Sequence, residues 1–168
     1  DSPEQIAFVK QRAAEACGAH VWPIGAVTRG QQGQELTDFE ALKGAGAVAL
    51  SDDGVPVQNA NLMRDGLILA HRQNLTILSH CEDADMVKNY AVNEGRISRQ
   101  LRLAGRPAIA EELMVARDAM LAEETGGAAA WAKPSRPAAA IPFPPTAGVS
   151  PCSSFCSPMS ASTTANTV

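Results

Sequence analysis

Two short stretches carry the side chains best suited to chemistry. "SDDG" at residues 51 to 54 puts Asp52 and Asp53 after the apolar run "AGAVAL", and "SHCED" at 79 to 83 puts His80, Cys81, Glu82 and Asp83 after "LTIL". A carboxylate oxygen and a neutral imidazole nitrogen arriving from neighbouring strands suit zinc. Strands deplete Asp and Gly, and adjacent like charges repel, so paired acids at the end of an apolar run need a reason. One reason is a site. Another is a tight turn, in which an Asp bonds the backbone and Gly54 supplies a positive φ. A single His at a strand end is likewise often a satisfied polar residue, and it is the recurrence at matching ends of successive runs that favours a site. Cys81 reads as a packed thiol. Glu111 and Arg117 read as helix-surface or inter-element contacts, and His20 and His71 have no partner of the right kind nearby in sequence.

The elements that must position these residues alternate between helix and strand. Ser2 as N-cap, Pro3 at the first helical position and Gln5 at capping-box spacing predict a helix with Ile6, Val9 and Ala13 on one stripe, stopped by Gly18. A strand follows near 21 to 27, with Pro23 opposing regular pairing at its start. "TDFEALKG" predicts a short helix with a Thr37 to Glu40 capping box, closed by Gly44. "GAVALS" is a second strand. A helix from about 59 to 74 carries Leu62, Met63, Gly66, Leu67 and Ala70 on one side, and "LTILSH" is a third strand. "DADMVKNYAVNEG" is predicted helical and "RISRQLRLAGR" irregular. Pro107 opens a long helix with Ile109, Leu113, Ala116 and Met120 as its apolar stripe, ended by Gly126 and Gly127. Helices alternating with short apolar strands imply parallel pairing and an α/β fold. Function in such folds gathers at the carboxyl ends of the strands.

Composition sets the limits. At 168 residues one domain is the default, and a net charge of -4 with a pI near 5.3 gives no electrostatic reason to expect nucleic acid or an anionic membrane. Four unevenly spaced cysteines do not make a disulfide framework, and no apolar stretch approaches the ~20 residues of a membrane span. A reducing cytoplasm is the expected setting. The start at "DSPEQIAFVK", without an initiator Met, reads as the inside of a domain. Residues 127–168 hold seven of the eleven prolines and none of the acids, with Lys133 and Arg136 their only charges. They are expected to be a disordered Ala/Pro/Ser-rich tail, leaving 1–126 as the structured domain with a net charge of -6.

The stretches "VWPIGAVT", "GAVALSDDGVPVQNANLMRDGL", "ILSHCED", "NEG" and "GRPAIAEELMVARDAMLAEETGG", in that order and spacing, closely resemble bacterial dihydroorotases of the amidohydrolase superfamily over residues 1 to 126. The resemblance implies a (β/α)8 TIM-type barrel with zinc at its mouth. It also implies a hydrolase of cyclic amides that interconverts N-carbamoyl-L-aspartate and dihydroorotate in pyrimidine biosynthesis. By position, Asp53 matches the metal-bridging aspartate and His80 a histidine ligand of the second metal, 27 positions apart as the family pattern asks. Asp52 is the alternative if the register slips by one.

The family's His-x-His pair, its substrate-gripping Arg and Asn, and its later His ligand and catalytic Asp have no match in these residues, and "AAAWAKPSRP" follows "ETGG" where the family continues with a strand. The expectation is therefore a central fragment, about barrel strands three to five, with no catalytic residue of its own, an incomplete zinc site and no activity alone. The tail would fit out-of-frame reading of GC-rich coding sequence. Hydantoinases and allantoinases are the nearest alternatives, but they place a carboxylated lysine where Asp53 stands, and there is no Lys between residues 44 and 87. A non-catalytic dihydroorotase-like subunit scaffolding aspartate carbamoyltransferase is a different class of reading, and a non-functional product of a broken gene is a third.

Overall fold

A computed structural model of the chain describes residues 1–16, 18–87, 90 and 92–131. Helix α1 (Pro3–Ala16) starts at Ser2, whose Oγ accepts from Gln5 N at 3.4 Å. Of its predicted stripe Ile6 is buried, whereas Val9 is exposed. Strand β1 (Ile24–Gly25) is shorter than the predicted 21 to 27. Pro23 has no N–H to give the ladder, and only its carbonyl is used, accepting from Val48 N at 3.0 Å.

Helix α2 (Phe39–Ala45) is capped one residue later than predicted, by Asp38, whose carboxylate accepts from Ala41 N at 2.9 Å. Thr37 is diverted from capping because its hydroxyl donates to Ala26 O at 2.6 Å. The helix runs past Gly44 and closes at Gly46, where a φ of 106° is open to glycine and strained for other residues. Strand β2 (Ala49–Leu50) leads through the acidic turn to helix α3 (Ala60–Arg72), capped by Asn59, whose side chain accepts from Asn61 N and Leu62 N. Helix α3 buries Met63, Gly66, Leu67 and Ala70. That is the face its apolar spacing predicts.

After strand β3 (Thr76–Leu78) the predicted helix over "DADMVKNYAVNEG" is absent from the described residues. Asp83 Oδ1 accepts from Asp85 N at 3.0 Å and Met86 N at 3.2 Å, the bonds of a helix cap, but among the described residues a single turn follows, with Val87 N on Asp83 O at 3.1 Å. Lys88, Asn89 and Ala91 lie outside the described residues. Strand β4 (Val92–Asn93) stands where helix was predicted, and helix α4 (Arg96–Gln100) and strand β5 (Gly105–Arg106) give order to a stretch expected to be irregular, with β4 and β5 paired in parallel. Helix α5 (Ile109–Thr125) and strand β6 (Ala128–Ala130) complete the described elements.

The main sheet is wholly parallel in the order β1-β2-β3-β6, which makes the fold α/β. Its fourth strand lies among residues expected to belong to the tail; the remainder of that tail, from residue 132, is outside the described residues. Leu42, Leu50, Met63, Leu67 and Ile77 form the centre of the core between the sheet and its helices. Helix α5 presents a different face from the one expected. Ile109, Leu113 and Met120 are exposed, and Ala110, Met114 and Asp118 are buried. The helix is apolar on two faces, and the one that meets the sheet contains an acid. Among the described residues no helix is long and apolar enough to cross a membrane.

Candidate metal centre

The acidic turn begins as a continuation of β2. Ser51 N donates to Gly25 O at 2.8 Å and Ser51 Oγ donates to Leu78 O at 2.8 Å, joining the carboxyl ends of β1, β2 and β3. Val55 N then reaches back to Asp52 O at 3.2 Å, and Gly54 takes a φ of 77°, the arrangement of a type II turn. The two acids part company here. Asp52 is buried, and its carboxylate accepts from Val27 N at 2.8 Å, from Thr28 N at 3.1 Å and from the Thr28 hydroxyl. These bonds occupy both carboxylate oxygens. Asp53 is exposed.

The β2–β3 register pairs Leu50 with Ile77. Asp53 and His80 each lie three residues beyond that pair in sequence, both past the carboxyl ends of adjacent parallel strands. His80 is half-buried, with its Nε2 3.7 Å from Glu82 Oε2. Glu82 is itself held by Arg106 at 2.6 Å. A cavity of about 570 Å³ opens beside His80, lined by it and by Glu82, Asn93, Arg106, Glu111 and Trp131 among others; Asp53 is not part of its lining. That volume falls in the range of small-molecule sites. His20 precedes β1 and His71 ends α3 ahead of β3, both exposed and both at the amino side of the sheet.

Burial pushes the Cys81 thiol up to about 11, with the neighbouring Asp118 charge adding to the effect. Its Sγ sits 3.9 Å from Asp118 Oδ2. Asp118 also accepts from Ser79 Oγ at 2.5 Å and from Arg117 Nε at 2.8 Å. Arg117 in turn donates to Val57 O and Gln58 O, each at 2.9 Å. The Gln58 side chain crosses to the other strand end, donating to Glu82 O at 2.8 Å and accepting from Ala84 N at 3.3 Å.

A family model described as dihydro-orotase-like matches residues 1–131. The chain belongs to the dihydroorotase-like family. It is 49% identical over 130 residues to the dihydroorotase of Pelotomaculum thermopropionicum, covering 75% of this chain and 29% of that protein. With the dihydroorotases of Syntrophus aciditrophicus and Ruminiclostridium cellulolyticum it shares 47% identity, over 121 and 125 residues; these cover 72% and 74% of the chain and 28% and 29% of the relatives. The chain thus spans less than a third of the length of these dihydroorotases. The family match takes in β6, five residues beyond the boundary expected at 126.

In this dihydroorotase-like chain the register brings Asp53 and His80 to one edge and leaves Asp52 as a structural acid. Arg117 is an inter-element contact, as expected, whereas Asp118 and Gln58 were missed. Asp118 had a signal: it sits at i+8 from Ala110 and i+4 from Met114, an acid in line with apolar positions on a helix.

Proposed function

We propose that this chain is the part of a (β/α)8 barrel that carries two ligands of a divalent zinc centre, Asp53 and His80, in a dihydroorotase. What supports the proposal is that both follow the carboxyl ends of adjacent parallel strands at the same offset, three residues past the Leu50–Ile77 pair. An oxygen and an imidazole nitrogen are a fitting pair of zinc donors, and neither is tied down by a short hydrogen bond in the way that Asp52 is. They form part of a donor set, since zinc takes three protein ligands in catalytic sites, and among the described residues no group of three His, Cys, Asp or Glu could hold an ion.

The reaction proposed is the interconversion of N-carbamoyl-L-aspartate and dihydroorotate, the making and breaking of one cyclic amide C–N bond. Bound zinc supplies Lewis acidity toward the amide carbonyl and lowers the pKa of a water. The chain's own contribution is to hold the two donors at one strand edge and to wall the cavity next to His80 with Glu82, Asn93 and Arg106. A polypeptide of these 168 residues is expected to lack turnover, because Asp53 and His80 do not complete the ligand set and no acceptor for the water's proton is assigned.

The test is equilibrium zinc binding to this polypeptide, alongside a dihydroorotase assay. Zinc affinity should fall in both Asp53→Ala and His80→Ala and stay unchanged in Asp52→Asn, with turnover at background throughout. Equal zinc affinity in wild type, Asp53→Ala and His80→Ala would sink the assignment.

A further inference from the structure

We infer that the Arg117–Asp118 pair on α5 is a positioning device that sets His80 relative to Asp53; this rests on the zinc reading above. Asp118 is fully buried, and its Oδ2 takes the Ser79 hydroxyl at 2.5 Å with Cys81 Sγ at 3.9 Å. It therefore grips the chain on both sides of His80. Ser79 is fixed a second time by its N–H, which donates to Ala130 O at 2.7 Å and extends the β3–β6 ladder. His80 thus stands between Ser79, held by both its backbone and its hydroxyl, and Cys81, whose thiol faces the same carboxylate.

The other carboxylate oxygen joins this grip to the second candidate ligand. Asp118 Oδ1 accepts from Arg117 Nε at 2.8 Å and lies 2.7 Å from Nη2, while Nη1 and Nη2 donate to the carbonyls of Gln58 and Val57 in the segment that follows Asp53. One guanidinium–carboxylate unit thus ties the strand end bearing Asp53 to the strand end bearing His80. A buried ion pair adds little net stability compared with apolar packing, so its presence on the inner face of an otherwise apolar helix calls for a role in orientation.

The experiment uses the 168-residue chain as Ser79→Ala, Asp118→Asn and Ser79→Thr, with two readouts. The first is the order of the His80 amide by ¹⁵N relaxation without metal; the second is the zinc dissociation constant. Ser79→Ala and Asp118→Asn should lower the His80 order and weaken zinc binding by about tenfold, the lower end for supporting groups around a metal site. Ser79→Thr, which keeps the hydroxyl, should restore both. Unchanged His80 order in a folded Ser79→Ala chain overturns the positioning role whatever the zinc does. Reduced order in Ser79→Ala, together with zinc binding that ignores Asp53→Ala, upholds the positioning role and retires the zinc reading, so the two fail separately. Should Asp118→Asn not fold, Ser79→Ala against Ser79→Thr still decides.

Discussion

The carboxyl ends of β2 and β3 solve one problem in two ways. Each must hold a candidate ligand still at the rim of a parallel sheet, where the ladder has run out. The β2 end carries its anchor in its own sequence: Asp52, next to Asp53, locks onto Val27 and Thr28 beyond β1. The β3 end borrows its anchor from 39 residues away, through the Ser79–Asp118 bond. A local anchor depends on one strand neighbour, whereas a borrowed one depends on the placement of a whole helix. The β3 end is therefore the more vulnerable of the two, and mutation can measure the difference.

The largest effect is expected from Asp118→Ala. It leaves the mostly buried Arg117 guanidinium without its carboxylate, and breaking one side of a buried pair costs about 3–5 kcal/mol. Urea unfolding should report that loss, with residues 79–82 the first to lose amide protection. Asp52→Ala should cost less, about 1–3 kcal/mol, by stranding the buried Val27 and Thr28 N–H groups. Its signature is faster hydrogen exchange at those two amides with His80 undisturbed. If the two substitutions disturb both strand ends alike, the anchors are not separate.

A smaller effect concerns pH. Burial holds the Cys81 thiol at about 11, above its ordinary 9.0. The folded state thus keeps a proton that the unfolded chain releases, so this contribution to stability is complete below pH 9 and is lost as pH rises through 11. Alkylation of Cys81, followed by mass spectrometry of its peptide, should stay slow at pH 9 and accelerate toward 11. Asp118→Asn should shift that acceleration to lower pH by removing the nearby charge; an unshifted profile would leave burial as the sole cause. The smallest effect is expected at Arg64→Ala. The Arg64–Glu124 pair spans α3 and α5 at 2.7 Å, raising the guanidinium and lowering the carboxyl, yet it is solvent-exposed. Thermal unfolding should barely move, and less so as salt is added.

The same contrast explains what could be read from the sequence. The strand–helix–strand unit from β2 to β3 was legible because Asn59 caps α3 and the spacing of Met63, Gly66, Leu67 and Ala70 gives its buried face directly. The pairing of Asp53 with His80, 27 residues apart, came from the resemblance to dihydroorotases, and the Leu50–Ile77 register has the same spacing. The borrowed anchor was hidden because α5 is apolar on two sides, and the stripe of Ile109, Leu113 and Met120 pointed to the wrong one. A polar residue such as Asp118 reads as surface until its partners are known. The segment after β3 misled because its start is that of a helix: Asp83 accepts from the N–H groups two and three residues on, as Asn59 does for α3, yet among the described residues only one turn follows.

The central claim is that Asp53 and His80 take one ion between them. Titrating the ¹⁵N-labelled chain with Co²⁺ and mapping paramagnetic broadening tests it most directly. The account predicts broadening that starts at Asp53 and His80 together, spreads to Gly54 and Cys81, and disappears in either Asp53→Ala or His80→Ala. Broadening centred on His20 or His71, or broadening at His80 that persists in Asp53→Ala, would contradict it.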